Sequence, residues 1–232
     1  MSDDFPGFPG VRGHAHAQAR LSRAIAREQL HHGLILMGPG GIGKATLARG
    51  LACALHCEVQ PAVGCGTCSS CRRVLTAMHA GVETLEPENE GGTIKVEAAR
   101  DLSHRLAHAP FEGRHHVVIF DPADALTEQA FNALLKSIEE PKPGVHFLMI
   151  TSRPDGLLPT ILSRCLPVRL GPLPIELQGE VVDEVSLPGG GAPQFKGYKV
   201  ETPGDGVTPN AIVEVVVKDG QKQSYPVVAT SV

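Results

Sequence analysis

Leu34-Ile35-Leu36-Met37-Gly38-Pro39-Gly40-Gly41-Ile42-Gly43-Lys44-Ala45-Thr46 is the stretch that decides the fold. Four apolar residues without a polar break predict a short buried strand, and Gly33 punctuates its start. Gly38 to Lys44 then fits the phosphate-binding loop pattern. In such a loop the glycines let backbone N–H groups turn onto phosphate oxygens, and the lysine adds a point charge. Leu47, Leu51 and Leu55 follow at every fourth position with Ala48 and Ala52, which predicts a helix leaving the loop. Strand, glycine loop and helix together are the context that such a match requires. One position departs from the pattern. Where a Ser or Thr hydroxyl would hold Mg²⁺, this chain has Ala45. Gly38, Gly40, Gly41, Gly43 and Lys44 are therefore candidates for holding a nucleotide, ATP or ADP, weakly and without hydrolysis. Thr46 is the alternative metal ligand, but one residue of displacement turns its hydroxyl about 100° around the helix.

Working outward, Ala17, Leu21, Ala24 and Ile25 recur at helical spacing, which predicts an amphipathic helix from about residue 14 to 31. Val117-Val118-Ile119-Phe120 reads as a second buried strand ending in Asp121. Thr127 can cap the next helix, with Glu128 near its positive N-terminus. Ala130, Phe131, Leu134, Leu135 and Ile138 form that helix's apolar face, and Pro141 stops it. Val145 to Ile150 is a third strand, ending in Thr151 and Ser152. Strands alternating with helices imply an α/β fold with a doubly wound parallel sheet. Ligands of such sheets sit at the carboxyl ends of the strands, where Gly38–Lys44, Asp121 and Thr151 all fall.

Six cysteines stand at 53, 57, 65, 68, 71 and 165. Cys57, Cys65, Cys68 and Cys71 have the spacing of a tetrahedral thiolate site, in which a structural Zn²⁺ has no open position. Cys53, one turn before Cys57, and His56 are the competing first ligands; free thiols in a loop are the plain alternative. Eleven histidines, some adjacent (His31-His32, His115-His116), show no ligand spacing and read as surface residues. Arg164, in Ser163-Arg164-Cys165 after a short helix over 157–162, has few acidic neighbours in sequence and is expected to project outward.

The 232 residues suffice for one sizeable domain and a smaller appendage. Hydrophobic content of 42% and charged content of 20% are those of an ordinary soluble protein. No run approaches the roughly 18 apolar residues that cross a bilayer, and Met1-Ser2-Asp3-Asp4 is acidic, unlike a signal peptide. The expectation is a cytoplasmic chain with no membrane partner. A net charge of −4 carries no whole-chain basic field of a dedicated nucleic-acid binder. After residue 174 the composition changes: no Arg, His or Cys occurs from Ile175 to Val232. Pro188-Gly189-Gly190-Gly191 reads as a linker. Ala211 to Val217, Lys218-Asp219-Gly220 and Ser224 to Val228 read as a β-hairpin. The expected organisation is a P-loop domain over 1–174 with a zinc module at 57–71, then a β-rich tail over 175–232.

These motifs together, with Asn132-Ala133-Leu134-Leu135-Lys136-Ser137-Ile138-Glu139-Glu140-Pro141, resemble the clamp-loader branch of AAA+ proteins over about residues 8–174. In that family an Asp at the second strand end supports the metal, and a following Glu polarises the attacking water. Here the pair is Asp121-Pro122, and proline cannot accept a proton. The gamma/tau ATPase subunits of the bacterial DNA polymerase III clamp loader keep both the hydroxyl and the Glu. The resemblance therefore implies the non-hydrolysing, delta-prime type of subunit. It further implies Cys57, Cys65, Cys68 and Cys71 as zinc ligands and Thr151 at the position that senses a γ-phosphate. Arg164 would be an arginine finger completing a neighbouring gamma subunit's ATP site. The implied partners are gamma/tau and delta subunits, with the sliding clamp and primer-template DNA reached through the complex. An active ATPase using Thr46 is the alternative. Residues 175–232 resemble neither the family's helical lid nor its collar, so a truncated or rearranged member without assembly function is a third reading.

Overall fold

The computed structural model describes residues 6–89, 91–107 and 113–172, and the backbone of two strands, 211–216 and 222–227. The chain divides into two compact units, Met1–Leu173 and Pro174–Val232.

The first unit is built on a five-stranded sheet of order β2-β3-β4-β1-β5. Its strands are β1 (Gly33–Met37), β2 (Val82–Leu85), β3 (His116–Phe120), β4 (Val145–Thr151) and β5 (Leu166–Arg169). Every pairing among them is parallel. Each parallel step needs a crossover, and the helices supply them: α2 (Lys44–His56), α3 (Ser69–Leu75), α4 (Val96–Leu106), α5 (Glu128–Glu139) and the short α6 (Pro159–Leu162). The central strands β1, β3 and β4 are buried at every residue, which explains their unbroken apolar runs.

Strand pleating sends alternate residues to two cores. Ile35, Met37, Val118, Phe120, Phe147 and Met149 pack with Leu102 of α4 and with Phe131, Leu134 and Ile138 of α5. Leu34, Leu36, Val117, Ile119, Leu148 and Ile150 pack with Leu47 and Leu51 of α2 and with Cys71 and Val74 of α3. The sheet is thus covered on both faces, as the alternating pattern implied.

The first helix, α1 (Ala15–Ala26), is shorter than the apolar spacing suggested. Glu28 adopts φ 55°, and the N–H groups of Glu28 and Gln29 turn back onto the carbonyls of Ile25 and Ala24. That is a Schellman closure made without glycine, so the pattern carried no stop signal. Thr127 caps α5 as expected, its Oγ1 accepting from the N–H of Ala130 at 3.1 Å.

In the second unit β6 (Ala211–Val216) and β7 (Lys222–Val227) pair antiparallel, Ala211 opposite Val227. The expected linker at 188–191 and the Asp219-Gly220 turn lie outside the described residues.

Candidate nucleotide loop, cysteine module and edge arginine

The loop from Gly38 to Gly43 joins β1 to α2 at the carboxyl edge of the sheet. A cavity of about 370 Å³ opens there, lined by Gly40, Gly41, Gly43, Lys44, Ala45, Thr46, Asp121, Pro122, Ile150, Thr151 and Ser152. The structure therefore brings the predicted loop residues, Asp121 and Thr151 together. A Cβ on Gly38 would stand 2.4 Å from the Leu170 carbonyl oxygen, so only glycine passes the end of β5 here. Ala45 and Pro122 line the cavity and offer it neither a hydroxyl nor a carboxylate.

Lys44 is buried and its ammonium is turned onto its own loop. Nζ donates to the carbonyls of Gly38 at 2.9 Å and Pro39 at 2.5 Å, and to Ser152 Oγ at 2.8 Å. Those three acceptors use all three ammonium protons. Burial lowers its pKa, and the carboxylates of Asp121 and Asp124 oppose that shift. Burial and the charge of Glu86 raise the Asp121 pKa, against Arg49 and Lys44.

Thr151 is fully buried, and its hydroxyl donates to Asp124 Oδ1 at 2.8 Å while accepting from the Arg153 N–H at 2.9 Å. Asp124 also accepts from Arg153 Nη2 at 2.6 Å. Burial alone would raise the Asp124 pKa, but these hydrogen bonds from Arg153 and Thr151 outweigh it and lower it. Asp124 is a site residue that the sequence reading passed over. Its signal was present: an acid four residues beyond the end of β3, one turn from Asp121.

The helix α2 carries the chain about 20 Å back toward the opposite edge. The cysteine module begins there. The sulfurs of Cys57, Cys65, Cys68 and Cys71 all lie within 4.8 Å of one another. Zn–S bonds of about 2.3 Å in a tetrahedron place sulfurs about 3.8 Å apart, and Cys57 Sγ stands 3.9 Å from Cys68 Sγ. The donor set fits a metal ion. Backbone N–H groups point at the sulfurs: Gln60 and Cys65 donate to Cys57 Sγ, Cys68 to Cys65 Sγ, and Cys71 to Cys68 Sγ. Such bonds favour thiolates and fix their orientation. Hydrogen bonds from the Thr67 hydroxyl and the Cys68 N–H bring the Cys65 thiol down to about 6, whereas burial pushes Cys71 up. Cys53 is outside the set; its thiol donates to the Cys71 carbonyl within the core. Of the alternatives raised by spacing, the geometry favours Cys57 over Cys53 and His56.

The histidines correct the sequence reading. His56, His79, His116 and His146 are buried, not surface residues. Their apolar neighbours come from other elements, which spacing along one segment cannot reveal. The His56 and His79 rings stand 4.2 Å apart and those of His115 and His146 5.3 Å apart, at the amino edge of the sheet. Nε2 of His56 and Nδ1 of His146 have no hydrogen-bond partner among the described residues. Burial pulls the His146 pKa down to about 4, helped by the charges of His115 and His32.

Arg164 also differs from expectation. It has few acidic neighbours in sequence and was expected to project outward, yet across the fold it pairs with Glu139: Nε and Nη2 approach Oε1 at 2.7 and 2.6 Å. The two residues are 25 positions apart, so the pair is invisible to local reading. Cys165 is buried against Gly33, where an added Cβ would meet Sγ at 2.6 Å. Ile161 is buried in the same core cluster as Cys165. These two anchors fix the Ser163–Cys165 turn at the amino end of β5, beside the start of β1. Gly33 and Gly38 are five residues apart on an extended strand, or roughly 16 Å. Arg164 and Lys44 thus occupy opposite edges of one sheet.

The fold and the loop define a class: a P-loop α/β protein with a cysteine module between its first helix after the loop and the sheet's outer strand. Residues 13–174 match the family described as "DNA polymerase III, delta subunit", and the chain belongs to that family. It is 41% identical over 150 residues to the DNA polymerase III subunit delta' of Pseudomonas aeruginosa, covering 64% of this chain and 46% of that one. It is 38% identical over 170 residues to the DNA polymerase III subunit tau of Escherichia coli, covering 73% and 26% respectively. The chain thus spans less than half the length of these relatives. Among solved structures, a DNA polymerase III gamma subunit-related protein from Thermotoga maritima superposes with a TM-score of 0.48 at 24% identity, covering 69% of this chain and 47% of that one. Among the described residues no helix is long and apolar enough to cross a membrane.

Proposed function

We propose that the chain is a non-hydrolysing clamp-loader subunit of the delta-prime kind, which supplies Arg164 to the ATP site of a neighbouring gamma/tau-type subunit. The observation that carries this reading is the separation of Lys44 and Arg164 across the sheet. An arginine at the amino edge cannot serve its own loop, so any phosphate it meets belongs to another chain. Arg suits that task because its planar fork of donors is always charged. The chain's own cavity supports the complementary half: Ala45 and Pro122 remove the metal hydroxyl and the water-activating base, and Lys44 is satisfied internally. Gly38, Gly40, Gly41, Gly43, Thr46, Asp121 and Thr151 would surround an ATP or ADP held weakly, and Zn²⁺ on Cys57, Cys65, Cys68 and Cys71 would be structural. That ion would supply folding energy to a loop that has little core of its own. In the complex, the chain would act beside delta and gamma/tau subunits in opening a sliding clamp for loading onto primed DNA.

The test is reconstitution. Added to gamma/tau and delta subunits, the chain restores DNA-stimulated ATP hydrolysis, while the chain alone shows no steady turnover. Turnover by the purified chain that Lys44→Ala removes would overturn the reading in favour of an active ATPase. Failure to bind gamma/tau subunits at all would favour a piece without assembly function.

A further inference from the structure

We infer that Glu139 is the positioning residue of Arg164, holding one side of its guanidinium so that the other side is free to exchange partners; this rests on the reading of Arg164 as a finger. The five guanidinium N–H donors divide into two groups here. Nε and Nη2 both grip one charged oxygen, Glu139 Oε1, at 2.7 and 2.6 Å. Nη1 instead donates to two neutral acceptors, the Thr160 carbonyl at 3.1 Å and Ser163 Oγ at 3.0 Å. All four bonds have a charged donor, but those to Glu139 join two ionised groups and are shorter and stronger than those that end on a neutral carbonyl or hydroxyl. An arriving phosphate oxygen therefore displaces the Nη1 contacts first and leaves the Glu139 grip in place.

The backbone on both sides is equally prepared. Glu139 ends α5, whose Ile138 is fully buried, and Cys165 and Ile161 pin the turn that carries Arg164. Neither end of the pair is on a loose loop. A free arginine side chain keeps considerable rotamer freedom, which docking would otherwise have to remove. With Glu139 in place most of that ordering precedes assembly, and preorganisation appears in the rate of the step the finger assists. It also gives the Glu139-Glu140-Pro141 segment a task beyond ending a helix. Pro141 stops α5 where its last acidic side chain reaches the turn before β5.

The experiment uses the full chain reconstituted with gamma/tau and delta subunits, with Glu139→Gln, Arg164→Ala and the double variant compared. Glu139 is about half exposed, so the amide variant folds; an unchanged melting temperature and unchanged co-purification with the other subunits verify this. Glu139→Gln is expected to lower the stimulated kcat roughly 5- to 20-fold with KM unchanged, short of the 10³-fold or more that a lost finger costs. In the Arg164→Ala background the Glu139→Gln change adds nothing further. An unchanged kcat in Glu139→Gln beside a collapsed kcat in Arg164→Ala overturns the positioning role and leaves the finger intact. An unchanged kcat in Arg164→Ala overturns both.

Discussion

The two edges of this sheet have been treated differently by the sequence. At the carboxyl edge, the nucleotide loop keeps its glycines and Lys44, but Ala45 and Pro122 stand where metal and water chemistry would be supported, and Lys44 is bonded to its own loop. At the amino edge nothing is missing. Arg164 has a charged partner, Cys165 and Ile161 are anchored, and the cysteine module presents four convergent sulfurs. The difference teaches that a glycine loop with its lysine in place and a working site are separate matters. Glycine loops also shape a strand-to-helix junction, a structural task separate from any catalytic one.

The largest expected effect attacks the intact edge. Removing the metal, or changing Cys68→Ser, abolishes metal content measured by plasma mass spectrometry. It costs stability on the scale of the roughly 10 kcal/mol seen for zinc-finger peptides, lowering the melting temperature by more than about 10 °C. Cys53→Ser leaves the metal content unchanged, since that thiol lies outside the set; a parallel loss of metal would revise the ligand assignment. Next in size, Gly33→Ala drives a Cβ to 2.6 Å from Cys165 Sγ. The overpacking costs about 1–3 kcal/mol in chemical denaturation, and the shifted turn lowers stimulated ATPase activity as well.

The buried histidines give a pH dependence of similar size. His146 has a folded pKa of about 4 against an ordinary 6.5. The unfolded chain therefore takes up this proton first as pH falls. The stability that neutral His146 contributes is fully present above about pH 6.5 and drains as pH falls toward 4, by about 2 kcal/mol at pH 5. His115 and His32 face the same ring and add their charges below their own pKa values, deepening the loss. Thermal melts of wild type and His146→Gln between pH 7 and 5 measure this; equal slopes would contradict it.

The smallest effect belongs to the altered edge. Ala45→Ser restores a hydroxyl but not the base, because position 122 remains proline. Nucleotide affinity measured by calorimetry rises modestly in the presence of Mg²⁺, and turnover stays at background. Hydrolysis regained by this single change would mean that the second site was never limiting.

Much of this was legible in the sequence because the decisive features are local. The loop, its strand and helix, the Thr127 cap and the cysteine spacing each depend on residues within a few positions of one another. The edges of the sheet were harder. The strand β2, Val82-Glu83-Thr84-Leu85, is short and half polar, and β5 carries Pro167, which only an edge strand tolerates. Among its residues α4 buries only Ala99, Leu102 and Leu106, too sparse a stripe to stand out. The misreadings share one cause. Burial of His56 and His146 and the Glu139 partner of Arg164 join residues from separate elements, and no local pattern encodes them; Asp124 stands visibly after a strand end, but its clasp on Thr151 is equally non-local.

The central claim is that this chain's chemistry is exported from the amino edge while its own loop is structural. Stimulated ATP hydrolysis by the reconstituted complex, measured with Lys44→Ala and Arg164→Ala side by side, tests it most directly. The account predicts near wild-type activity for Lys44→Ala and a loss of about 10³-fold or more for Arg164→Ala. The reverse ranking, with Lys44→Ala inactive and Arg164→Ala active, would contradict it.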